Sequence, residues 1–250
     1  MAPPAPVSPI PHVRKVFGEP RFHTDGDVAA LAFVPDGTLR SVDETGVLRH
    51  WAVDGKPTAR FFLSDLETLW AFGPTATVLA SGNDDLLFWD GADGQLLAKL
   101  PQPAWVTALA YSGDGRTLAS GHDNGLVRFW DVASRRLTGE IQAHPEAVSA
   151  IAFALVGERV ATAGEDRVVK VWDEYSHRMI EEFVSHTDRI PALAWSADGQ
   201  VLVSAGWDTS ARVWQAGRPD PVILLNSHAD QVLVARFAPA GASTLALTRH

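Results

Sequence analysis

Apolar and polar residues alternate along this chain in short bursts. In VTALAYSGDGRTLASGHDNGLVRFWD (residues 106–131) an apolar run ends in an aromatic, and an Asp-Gly turn, a short run ending in Ser, a polar turn and an alternating stretch closing on Trp follow. IPALAWSADGQVLVSAGWDTSARVWQ (190–215) repeats that order position for position. Apolar runs this short, bounded by turn residues and rich in β-formers, predict three hairpin-linked strands rather than helices. A fourth strand is predicted between each Trp and the next His, as in RRLTGEI (135–141) and HRMIEEF (177–183).

The period is set by the tryptophans. Trp51, Trp89, Trp130, Trp172 and Trp214 stand 38, 41, 42 and 42 residues apart. His144, His186 and His228 form a second ladder at intervals of 42, and the first two precede their Trp by 28, as His23 precedes Trp51. Two residue types sharing one spacing and one offset mark an internal repeat, and four short antiparallel strands per unit are the blade of a β-propeller. The fold class is all-β, with five complete four-stranded blades and a partial sixth. Residues 1–12 (MAPPAPVSPIPH) read as a disordered Pro-rich arm and 13–250 as the propeller.

Trp-Asp closes the third strand at 89–90, 130–131 and 172–173, and over about residues 13–250 the chain resembles the WD-repeat family. It departs from that pattern where Gly before His is replaced by Phe22, Ala143, Ser185 or Ser227, where Gln215 follows Trp214, and where Leu63 stands for His. The resemblance implies a propeller of seven blades in the complete protein and a platform that holds other proteins or peptides. It also implies that in His144, Thr162, Asp166 and Trp172, and again in His186, Ser204, Asp208 and Trp214, the turn Asp bonds His, His bonds the hydroxyl, and the hydroxyl bonds the indole N–H. Thr45 and Gln102 substitute for members of that set in blades one and three. By the same resemblance, VRKVFGEPRFH (13–23) is an outer strand that completes the last blade.

A Ser-His-Asp combination invites comparison with a hydrolase, but a nucleophile is needed once and this set recurs. Buried polar groups that satisfy one another are the better reading. Histidines 42 residues apart fall on different blades, so no metal site is expected. No Gly-rich phosphate loop is present, and no cofactor is expected. The innermost strands VAALAF (28–33), VTALAY (106–111), VSAIAF (148–153) and IPALAW (190–195) carry no acidic residue and no His, and Ala30, Ala108, Ala150 and Ala192 read as packing near the axis. An enzyme or ligand-binding propeller with its site in loops at the channel mouth stays open as an alternative, as does a purely structural repeat module.

A net charge of -9 without a basic run argues against nucleic acid as partner. No stretch approaches the roughly 18 apolar residues of a membrane span. Zero cysteines fit a reducing, cytoplasmic setting, and a bacterial source is expected. By alignment, residues just before the inner strands and in the acidic turns share one face around the channel mouth. That face collects Trp105 and Arg189, then Asp123, Glu165 and Trp207, with His122 beside Asp123. Trp and Arg are frequent binding hot spots, so these six are the expected partner contacts. The period places the next Trp about six residues past His250, which predicts a sequence cut from a longer protein.

Overall fold

The structure, a computed structural model, describes residues 27–64, 69–215, 217–218, 220–226 and 228–237, and the backbone of 245–248. The arm at 1–12 and the strand expected at 13–23, with His23, lie outside the described residues. Among the described residues every regular element is a strand. Blade one comprises Val28–Phe33, Leu39–Asp43, Val47–Trp51 and Pro57–Phe62, and blade two Leu69–Phe72, Val78–Gly82, Asp85–Asp90 and Leu96–Pro101. Blade three comprises Val106–Tyr111, Thr117–His122, Leu126–Asp131 and Arg136–Gln142, and blade four Val148–Phe153, Arg159–Gly164, Val168–Asp173 and Met179–Val184. Blade five is Ala192–Trp195, Val201–Ala205, Ala211–Gln215 and Ile223–Leu225, and the pair Val234–Phe237 and Leu245–Thr248 begins a sixth. All pairings are antiparallel, in sequence order within each blade.

Three strand starts differ from the sequence expectation for backbone reasons, the first being the outer strand of blade three, which starts at Arg136 because Arg135 takes a positive φ of 57°. The outer strand of blade four starts at Met179 because His177 takes a positive φ of 56° and belongs to the turn. The inner strand of blade five starts at Ala192 because Pro191 has no N–H to give to a ladder. Blade two keeps four strands although its middle hairpin is two residues shorter. Trp89 Nε1 there donates to Ser81 Oγ, eight residues back, where the other blades span ten.

The hydrophobic core lies between blades, not within them. One cluster joins Val42 and Leu48 to Leu79 and Trp89, the next Phe88 to Leu118 and Trp130, the next Phe129 to Val160 and Trp172, and the next Val171 and Phe183 to Leu202 and Trp214. A fifth joins Val203 and Val213 to Val232 and Ala235. Each of these Trp side chains therefore faces the preceding blade. Small residues permit the approach: Gly121 leaves no room for a Cβ, which would stand 2.6 Å from Val148 Cγ1. The inner strands of blades three and four also bulge at Thr107 and Ser149. A bulge re-aims the side chain, and these hydroxyls donate to Val148 O (2.6 Å) and Ile190 O (2.7 Å) of the next blade.

Candidate functional site

Two loop sets meet at one end of blades one, three, four and five: the entry to the inner strand and the turn between the second and third strands. Backbone bonds hold them together, from Glu44 N–H to Asp27 O, Asp123 N–H to Trp105 O, Glu165 N–H to Ala147 O, and Trp207 N–H to Arg189 O. This end is anchored beneath by side-chain relays. In blade four Trp172 Nε1 donates to Thr162 Oγ1 at 2.9 Å, the hydroxyl meets His144 Nε2 at 2.9 Å, and His144 Nδ1 faces Asp166 at 3.0 Å. In blade five Trp214 Nε1 donates to Ser204 Oγ (2.8 Å), which meets His186 Nε2 (2.7 Å), whose Nδ1 faces Asp208 (2.9 Å). A carboxylate at Nδ1 puts the proton there and leaves Nε2 to accept from the hydroxyl.

The charge states follow from burial. Burial drives His186 down to about 4, the Asp208 carboxylate opposing and the Arg212 guanidinium adding to the fall. His144 and His122 are lowered for the same first reason, so all three rings are neutral at pH 7. Burial alone would raise Asp208, but hydrogen bonds from Ser210, Thr187 N–H and Arg212 outweigh it and hold the carboxyl well below the ordinary range. Ser120, Thr162 and Ser204 are fully buried. The arrangement clamps two loops and presents no hydroxyl to solvent.

A cationic member of the relay escaped the sequence reading. Two residues before Trp stand Arg49, Arg128, Lys170 and Arg212, a repeat broken at blade two, where Leu87 precedes Trp89. Arg212 Nη1 donates to Asp208 (2.7 Å) and Ser210 Oγ (2.8 Å), and Lys170 Nζ donates to Ala143 O (2.8 Å). Arg49 pairs with Asp43, which also accepts from Thr45 and from Val47 N–H. Arg128 reaches Glu140 (3.2 Å) and sits 6.0 Å from the Trp130 ring centroid.

His122 requires a correction. It is not on the partner face but fully buried, with Nε2 3.2 Å from Ser120 Oγ and Nδ1 3.1 Å from Ala104 O. Blade three has Gln102 where His is due, and its amide turns to Leu100 O and Arg128. The imidazole of His122 enters the vacated slot from the second strand, and Trp130 Nε1 completes the relay on Ser120 (3.0 Å). In blade two Leu63, where the sequence leads one to expect His, is a buried hydrophobe in the seam of blades one and two.

The remaining five face residues are brought to one end but not into one cluster. Arg189, Trp207 and Glu165 do meet: the guanidinium carbon lies 5.2 Å from the Trp207 ring centroid, and Nη1 3.5 Å from Glu165, across the seam of blades four and five. Trp207 Nε1 and Arg189 Nε have no hydrogen-bond partner. Trp105, 44% exposed, and Asp123 sit together on blade three. Among the described residues, no group of three or more His, Asp or Glu is placed to hold a metal ion.

Comparison with known proteins comes to the same architecture. The family model described as "WD domain, G-beta repeat" matches residues 94–131, 135–173 and 178–215. The chain is 27% identical over 139 residues to "WD repeat-containing protein VIP3" of Arabidopsis thaliana, covering 47% of this chain and 43% of that protein, so it spans less than half of that relative. A solved structure titled "Structure of U3-55K" is similar at a TM-score of 0.72 and 23% identity, covering 82% of this chain and 66% of that one, a likeness of fold.

Proposed function

The chain is a WD-repeat β-propeller, and from that premise we propose that it is a non-catalytic platform whose loop face around Arg189 and Trp207 holds another protein. The observation that carries this reading is the Arg189–Trp207–Glu165 group. It joins a guanidinium, a half-buried indole and a carboxylate, with Trp105 exposed on the same end. Such side chains give large contact area with few rotamers to fix. The surrounding relays support the reading because they fix both loop sets and leave the face preformed.

Charge narrows the partner. Arg189 is already matched by Glu165, while Asp27, Glu44 and Asp123 are exposed on the same end. A protein or peptide fits this mixture, whereas nucleic acid and anionic lipid do not. A cytoplasmic location fits the absence of cysteine. The test is quantitative capture from native extract, followed by titration of the purified partner. Trp207→Ala and Arg189→Ala are each expected to keep the fold and to weaken binding by about 1 to 3 kcal/mol. Retention of every wild-type partner by both variants would remove this face.

A further inference from the structure

The turn between the first and second strands, at the opposite end of each blade, carries a bonded Ser-Asp pair in blades three and five, while blade two has Gly73 and Thr75 at those positions. In blade three Ser112 Oγ donates to Asp114 (2.7 Å), which accepts from Arg116 N–H (3.0 Å), while Thr117 N–H donates to Ser112 Oγ (3.0 Å). Blade five repeats it with Ser196, Asp198, Gln200 and Val201 at 2.6, 3.1 and 3.0 Å. Blade one keeps Asp36, accepting from the N–H and hydroxyl of Thr38.

Blade four gives up both polar members. Ala154 stands where Ser is due and Val156 where Asp is due. Gly157 and then Glu158 take positive φ, 96° and 52°. In place of a polar turn this blade shows solvent Leu155 and Val156, 66% and 57% exposed. Leu155 lies over Gly113 of blade three, and the last turn of blade four adds Tyr175, 67% exposed. An isolated exposed aliphatic needs no explanation, but an adjacent pair does when one of them, Val156, stands where blades one, three and five put a turn-bonded Asp, beside an exposed ring.

Carboxylates enclose the patch. Glu174 N–H donates to Glu158 O (2.9 Å), bringing those two side chains to one place. Burial first, then the charges of Asp114, Glu158 and Asp173, hold Glu174 above its ordinary value, so Asp114 of blade three shares the field. Tyr175 is raised by Glu174 foremost, with Glu158 and Asp114 contributing. Arg116 is 3.7 Å from Asp114 and Arg159 stands opposite Asp173, but among the described residues no cation offsets the rise of Glu174.

We propose that this turn face of blade four, centred on Leu155, Val156 and Tyr175, docks a basic amphipathic segment of a partner protein. Its apolar side chains lie on the aliphatic pair and the Tyr175 ring, and its Lys or Arg side chains lie among Asp114, Glu158 and Glu174. An anionic membrane would be repelled by those carboxylates. A second copy of this chain would bring like charges together at the same face. The site is separate from the Arg189–Trp207 face and does not depend on it.

The test uses the full chain and a fluorescent peptide of roughly 12 residues in which Leu and Lys alternate. Two control peptides replace Lys by Glu or Leu by Gly. The Leu/Lys peptide is expected to bind, more weakly as salt rises, and at least about tenfold more tightly than either control. Leu155→Ser with Val156→Asn restores a turn acceptor, so its melting midpoint should hold or rise while peptide affinity falls about tenfold. Glu158→Gln with Glu174→Gln should weaken the peptide as well, and Trp207→Ala should not. The proposal is overturned if the Leu/Lys peptide fails to bind, if the Glu peptide binds equally, or if both double variants bind as wild type. It is likewise overturned if sedimentation shows a dimer that Leu155→Ser with Val156→Asn dissolves, which would make the occupant a second copy.

Discussion

Arg189 lies over Trp207, its guanidinium carbon 5.2 Å from the ring centroid, and the backbone N–H of Trp207 donates to Arg189 O at 2.9 Å. The two loops of blade five are thus joined through both main chain and side chain. The ion pair from Arg189 to Glu165 is partly exposed at both ends, and such pairs contribute about 0 to 1 kcal/mol. Glu165→Gln should therefore shift the denaturant midpoint by less than about 1 kcal/mol in stability. A larger loss, measured in urea, would show that the pair holds the seam and is not reserved for a partner.

The relays should behave differently. Thr162→Val keeps shape but strands both Trp172 Nε1 and His144 Nε2, and the usual cost is about 1 to 3 kcal/mol. The same loss is expected for Ser120→Ala in blade three, where His122 supplies the imidazole. If Ser120→Ala proved silent, His122 would be filler and not a working member of the relay. Equilibrium unfolding followed by circular dichroism measures both.

Acid should weaken the fold in two stages. His186 falls from 6.5 in an open chain to about 4 when folded, so between those values the unfolded chain takes up a proton that the folded chain refuses. Its contribution is whole above pH 6.5 and fades as pH drops toward 4, by about 3 kcal/mol in all. His144 and His122, lowered in the same direction, add to the slope. Below that range Asp208, whose folded value is depressed, extends the loss. Urea midpoints measured from pH 7 to 4 should fall continuously, and a flat profile from 6.5 to 4.5 would contradict the neutral, buried imidazoles.

Gly121→Ala tests the closeness of the blades. The new methyl carbon would meet Val148 at 2.6 and 2.8 Å, and Val148 is itself fully buried. Crowding of this kind costs about 1 to 3 kcal/mol. Val148→Ala in the same chain should restore part of that loss, as a double-mutant cycle in unfolding free energy would record.

The blades were legible because their signals recur. A Trp, a hydroxyl and a His at fixed offsets gave strand order and number, and even blade two, with Leu63 for His and a shortened hairpin, folded to the same four strands. What escaped was orientation. His122 adjoins exposed Asp123 in sequence, but alternation along Thr117–His122 turns its ring inward. The cations at 49, 128, 170 and 212 look like the solvent-facing half of an alternating strand. Arg49 and Arg212 are instead buried, since the carboxylates of Asp43 and Asp208 are there to receive them. Position in the period was readable, and partnership across the fold was not.

Because the core is a series of seams, and four of the five described hold one of the repeat tryptophans, the molecule carries a set of built-in optical reporters. Trp89, Trp130, Trp172 and Trp214 each belong to a different interblade cluster, so quenching or red-shifting of one signals water entering one seam. In a repeat array whose stability is the sum of units and their interfaces, seams can open in sequence. Replacing these four indoles by Phe one at a time, and following emission through a denaturant titration, would reveal the order in which the blades part company.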